Sequence, residues 1–150
     1  MDAAAMRRRL TPFFRRYAAT FQRALEGKVD TEAVSAAFAD YFVGAGPAGV
    51  RGGKNGMKFR FMLGRGFAFY RRIGTLTMAA AKLGVTRLDD LHALARVTFR
   101  TSVRRRGDGR LVRMRFTNLY FVQLAPRASP KIFAYITGDE QGLMKKHGLL

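Results

Sequence analysis

The chain has 150 residues, enough for one domain whose core removes roughly 68–70% of the unfolded surface from water, and it contains no cysteine. That absence excludes disulfides, zinc thiolates and a cysteine nucleophile. Twenty-eight Lys and Arg against ten Asp and Glu give a formal charge of +18, which predicts attraction to polyanions whatever the fold; the alternative is arginine used as a solvated residue whose stem covers apolar surface.

No apolar run approaches the roughly 18 residues of a membrane span, and no apolar stretch follows the basic start at Met1–Arg9. A cytoplasmic protein without a membrane partner is the expectation. Thr11 and Pro12 read as an N-cap with proline at the first helical position. From there Phe13, Tyr17, Phe21 and Leu25 recur every four residues as far as Gly27, an amphipathic helix whose aromatic stripe faces a core. Asp30 or Thr31 caps a second helix to about Asp40, with Val34 and Phe38 on its inner side. Tyr41 to Val43 is extended, and the Gly44–Gly49 segment is too rich in glycine for a helix, at about 1 kcal/mol each, so it makes a turn or short hairpin.

Periodicity leaves the next stretch open. Phe59, Phe61, Leu63, Phe67 and Phe69 alternate as in a strand, whereas Phe59, Leu63, Tyr70 and Ile73 approximate helical spacing. Asn55 offers a cap, and Gly64 and Gly66 weaken a helix. Beyond Gly74 the pattern becomes β: Thr75–Leu83, Leu91–Val103, Leu111–Leu124 and Lys131–Thr137. Asp108-Gly109 signals a two-residue hairpin turn, which sets Val103 near Met114, Thr101 near Phe116 and Phe99 near Asn118. The same register gathers Arg96, Arg100, Arg104, Arg113 and Arg115 on one face, either a solvated surface or a platform for anions. Asp139 and Glu140 open a last short helix, and Lys145 and Lys146 close it, as the helix dipole favours.

Two or three helices, a meander of long strands and a closing helix predict an α+β domain spanning residues 1–150. That order resembles the nuclear transport factor 2-like superfamily, in its bacterial SnoaL-like and ketosteroid-isomerase-like branches. The likeness rests on Tyr41-Phe42-Val43-Gly44 running into Gly46–Val50, on Phe69–Gly74, on Leu88–Val97 and on the tail from Gly138 to Gln141 with Leu143 and His147–Leu149. It implies a cone-shaped fold, N-terminal helices packed on a strongly curved antiparallel sheet, and a homodimer formed through the outer sheet face. It also implies that Met57–Ile73 is a helix closing the cone. Fold does not carry function, and the acid and tyrosine set of the isomerases has no match among these motifs.

Asn118 and Tyr120 are polar groups aimed at the apolar face of the hairpin, and buried polar atoms need partners. With Tyr17, Tyr41, Phe69 and Tyr135 they form the expected lining of a pocket for a small, largely apolar ligand. Asp40, where the second helix meets the cone, and His92, on the cationic face, are the candidate acid/base groups for an isomerase, dehydratase or cyclase acting on a carbonyl compound. No cofactor is expected. Metal binding is unfavourable with two distant histidines and no acidic cluster. The run Ala48–Asn55 departs from a phosphate loop at its first glycine and at its Mg²⁺-binding hydroxyl. Nonspecific polyanion binding, to nucleic acid or an acidic protein, follows from charge alone.

Overall fold

The pattern that begins at Thr75 builds three strands of 13 residues and a shorter one of 6 in the computed structural model, which describes residues 1–150. In chain order the elements are α1 (Ala3–Leu25), α2 (Thr31–Ser35), β1 (Phe38–Gly46), β2 (Gly49–Lys54), α3 (Met57–Arg72), β3 (Thr75–Arg87), β4 (His92–Arg104), β5 (Leu111–Gln123), β6 (Lys131–Ile136) and α4 (Glu140–Lys146). The strands form one sheet in the order β2-β1-β6-β5-β4-β3. Bulges in β3 between Ala80 and Lys82, and between β5 and β6 at Phe121/Val122, bend it. All neighbours are antiparallel except β1 and β6, which run parallel. The sheet is therefore mixed rather than wholly antiparallel, since no hairpin joins β1 to β6 and dictates their relative direction.

The concave face holds α1. Along β4 the odd positions Ala93, Ala95, Val97 and Phe99 are buried against it and the even positions face water. The helix starts well before the expected Thr11: Asp2 caps it, its Oδ1 accepting the Ala5 N–H at 2.8 Å, and Pro12 lies inside. An interior proline costs about 3 kcal/mol. Met6 and Leu10, both wholly buried, each return about 1.5–3 kcal/mol, so packing overrides the local signal to start at Thr11.

The second helix is also shorter than expected, ending at Ser35, which puts Phe38 and Asp40 in β1. The Asn55 amide explains the change, because Nδ2 donates to the carbonyls of Ser35 at 2.7 Å and Phe38 at 3.2 Å. Gly56, and not Asn55, stands at the start of α3. The glycine-rich segment is a hairpin, with Gly46 paired to Gly49 across Pro47-Ala48.

The β4–β5 hairpin keeps its expected faces in a register two residues away: Val103 pairs with Val112, Thr101 with Met114, Phe99 with Phe116 and Arg100 with Arg115. A slip of two leaves the apolar pattern intact, so the turn decides. Asp108 does not sit in a two-residue turn. Its carboxylate receives a fork from Arg105 at 3.0 and 2.6 Å, and the loop closes through the Arg105 N–H to the Arg110 carbonyl at 2.8 Å, with Gly109 at φ +70°. Arg105 also donates to the His147 carbonyl at 2.8 Å, fastening the end of α4 to this loop.

Candidate functional site

Bending the sheet around α1 leaves a cavity of about 240 Å³ between the inner strand faces and α3. Its walls are apolar: Phe21 from α1, Phe59 and Leu63 from α3, Met78 from β3, and Phe99 and Phe116 from the β4–β5 hairpin. Phe59, Leu63 and Tyr70 reach it together because they lie four and seven residues apart on one face of α3. Tyr135 leans over β1 where Gly44 leaves room, since a Cβ there would stand 2.4 Å from its ring.

Seven polar side chains interrupt this lining: Tyr17, Tyr70, Asn118, Tyr120, Tyr135, Thr137 and Glu140. Asn118 Nδ2 donates to the Tyr120 hydroxyl at 3.1 Å. The Tyr70 hydroxyl donates to Glu140 Oε1 at 2.6 Å. Burial raises the Glu140 carboxyl above its ordinary 4.5, with the Tyr70 hydrogen bond pulling the other way. Burial, the Glu140 charge and the hydrogen bond to it all raise the Tyr70 phenol. Tyr120 is pushed up to about 12 by burial, opposed by the hydrogen bonds of Asn118 and Tyr17, and Tyr17 and Tyr135 are raised by burial first. All four phenols are thus neutral hydrogen-bonding groups at physiological pH, and Glu140 is the one carboxyl of the lining. No lysine or arginine lines the cavity, so it offers nothing to neutralise a carboxylate or phosphate ligand.

Of the residues expected around a pocket, Tyr17, Asn118, Tyr120 and Tyr135 meet at this cavity. Tyr41 does not. It projects from β1 into solvent, 70% exposed, on the opposite strand face from Phe42. Phe69 also lies elsewhere, beneath the Arg72 guanidinium at 5.7 Å, and its neighbour Tyr70 takes the inward position. The two candidate acid/base groups are both outside. Asp40 is exposed on β1, and His92 Nδ1 lies 2.8 Å from Asp89 Oδ1 with its ring edge-on to Phe133 at 5.7 Å, on the outer sheet face.

Glu140 escaped sequence reasoning because an acid at a helix start already has a structural role. The signal was present nonetheless: Asp139 alone caps α4, its Oδ1 accepting the Gly142 N–H at 2.9 Å, so Glu140 is surplus to the cap. Tyr70 was marked by its spacing from Phe59 and Leu63.

The expected cationic positions occupy the convex side of the sheet. Arg96, Arg100, Arg104, Arg113 and Arg115 are all exposed there, with Arg100 directly opposite Arg115 and Ser102 opposite Arg113. Every ion pair of the molecule involves Asp89, Asp90 or Asp108, in the loops at either end of these strands. Across the middle of the face the arginines have no acidic partner.

No helix is long and apolar enough to cross a membrane. Among solved structures, a scytalone dehydratase candidate from Novosphingobium aromaticivorans superposes with a TM-score of 0.65 at 13% identity, over 89% of this chain and 83% of that one. A nuclear transport factor 2 superfamily protein from Salmonella enterica serovar Typhimurium gives 0.61 at 12% identity, over 90% and 91%. A ketosteroid isomerase-like protein from Erwinia carotovora atroseptica gives 0.56 at 19% identity, over 81% and 86%. At these identities the likeness establishes the cone fold. No curated protein sequence matches the chain. The family model described as NTF2-like protein (DUF6841) matches residues 8–140, nearly the whole of the folded region, and the chain belongs to that family.

Proposed function

We propose that the domain holds a small, largely apolar and uncharged molecule in its cone, with one oxygen function turned toward the tyrosines and Glu140. The observation that carries this reading is the composition of the lining: aromatic walls, neutral phenols and one half-buried carboxyl, with no cation, in a protein of charge +18. Apolar walls with a few convergent polar groups are the usual makeup of a small-molecule site. The test is native mass spectrometry on protein purified without added ligand, followed by titration with the neutral phenol 2-naphthol at high salt. Wild-type protein is expected to retain a stoichiometric small molecule or to bind 2-naphthol saturably, and Leu63→Trp, which fills the cavity, to do neither. Wild-type protein that does neither, or a Leu63→Trp variant that binds as wild type, overturns the reading.

The homodimer belongs to the same proposal. Leu94 pairs with Phe121, Leu119 with Ile136, and Phe121 with Ala134, which makes a continuous apolar strip on the outer face near β6. Phe121→Arg is expected to shift the sedimentation coefficient to that of a monomer.

The pairing of Glu140 with Tyr70 favours a second reading, an acid/base enzyme for a carbonyl compound. Glu140 would take the proton α to the carbonyl while a phenol hydrogen-bonds the oxygen that gains negative charge. Exchange of the α-protons of 2-tetralone into D₂O, followed by NMR, is expected to slow at least tenfold in Glu140→Gln and to persist in Asp40→Asn and His92→Gln. Equal exchange in Glu140→Gln and wild type sinks it.

A further inference from the structure

The outer face of the sheet divides into two chemically different halves. Toward β6 it is the apolar strip. Toward β3 it is a field of cations on a floor of small residues: Arg100, Arg113 and Arg115 wall a shallow groove whose base is Thr77, Ala79 and Ser102. The Thr77 and Ser102 hydroxyls hydrogen-bond each other there. Arg96 and Arg104 extend the array along β4, four residues to either side of Arg100, so the three span about 27 Å at roughly 3.4 Å per residue.

Two facts argue against an idle surface. Like charges directly across a strand pair are destabilising, yet Arg100 and Arg115 are so paired, and no carboxylate of the face comes between them. The guanidiniums are also free: none of Arg96, Arg100, Arg113 and Arg115 donates a hydrogen bond within the protein, and Arg104 spends only one on the Gly109 carbonyl, at 2.9 Å. Exposed guanidinium forks suit phosphate oxygens.

We infer that this arginine half of the outer face, from Arg96 to Arg115, is a docking surface for the phosphate backbone of double-stranded nucleic acid, read without regard to sequence. The chemistry of the face selects this partner. A protein partner would need an apolar anchor at the centre of the contact; the centre here is threonine, serine and alanine, and the one large exposed apolar side chain of the groove, Leu111, stands at its hairpin end opposite Arg104. A single strand would need aromatic faces for its bases to stack on, and no aromatic side chain stands among these arginines; Phe99 and Phe116 point into the core. A convex sheet with no protruding helix reaches phosphates and leaves the base edges untouched.

The experiment compares affinity for a short mixed-sequence DNA duplex over a series of salt concentrations in three proteins. One is wild type. The second carries Arg100→Gln, Arg113→Gln and Arg115→Gln. The third removes the same charge from exposed positions of α1, by Arg7→Gln, Arg8→Gln and Arg15→Gln. If the face is the site, the second variant loses at least tenfold in affinity at low salt, and its slope of log K against log salt falls by about 2 to 3, near 0.9 per lost phosphate contact. The third stays within about twofold of wild type. An equal loss in both triple variants means that net charge alone binds DNA and overturns the surface. So does a change of oligomeric state in the second variant without a change in DNA affinity, which would assign the face to another copy of the chain. Tighter binding to the unpaired single strand than to the duplex overturns the choice of partner. Should the triple variant fold poorly, the single charge reversal Arg115→Glu carries the same comparison.

Discussion

The inside of the cone and the outside of its sheet are built from the same three strands, yet they share almost no chemistry. Phe99, Phe116, Asn118 and Tyr120 point inward to a cavity without a cation. The residues beside them in sequence, Arg100, Arg115 and Thr117, point outward to a face without an unshared acid. The two-residue period of a strand permits this, since neighbours along the chain lie on opposite faces of the sheet. The lesson is that a net charge of +18 describes the surface of this molecule and says nothing about its cavity. A search for function guided by total charge finds only the outer face.

The contrast can be broken by changing one face at a time. The largest effect is expected inside. Tyr120→Ala removes a side chain only 4% exposed that touches Phe14 and Tyr17, and should lower unfolding free energy by about 3 to 5 kcal/mol in urea titration; a loss below about 1 kcal/mol would mean the aromatic cluster is loosely packed. Gly44→Ala comes next. Its Cβ has to displace the Tyr135 ring, with an expected loss of about 1 to 3 kcal/mol together with weaker binding of 2-naphthol, followed by fluorescence. Unchanged binding there would show that Tyr135 is dispensable to the cavity.

A smaller, pH-dependent effect belongs to Glu140. Its carboxyl is raised in the folded protein, so the protonated form favours the fold. That contribution is fully present below the unfolded value near 4.5 and is lost as pH rises through the raised folded value. Urea midpoints measured from acid to neutral pH should therefore fall in wild type relative to Glu140→Gln, and parallel curves would place Glu140 in water. The smallest effect is outside: Arg115→Thr relieves the facing Arg100 and should raise stability by roughly a few tenths of a kcal/mol at low salt, vanishing as salt screens the pair.

The strands from Thr75 onward were legible because one face is buried and the other wet, and their alternation is written directly into the residues. α1 was legible in kind and not in extent. Thr11-Pro12 is a true local start signal, and only the tertiary burial of Met6 and Leu10 overrules it. The hairpin register was undetermined by two residues because both registers satisfy the same pattern, and the deciding contact, Arg105 on Asp108, is invisible to a rule that assigns Asp-Gly to a turn. At the cavity, Tyr17, Asn118, Tyr120 and Tyr135 could be named from inward-facing polarity. Glu140 could not, since its partner Tyr70 is seventy residues away and nothing local distinguishes it from a capping acid.

The last helix fastens these two regions to each other. Its first residue, Glu140, accepts a hydrogen bond from α3 inside the cavity, and the carbonyl of His147, just past its end, is held by Arg105 at the tip of the β4–β5 hairpin. Seven residues thus act as a rivet driven through two walls. When so short a helix opens locally, both heads come loose in one event: the carboxyl meets water and returns toward its ordinary acidity, and the hairpin tip beside the arginines loses its brace. A protease that clips the chain just before Glu140 should therefore unseal the cavity and slacken the cationic hairpin together.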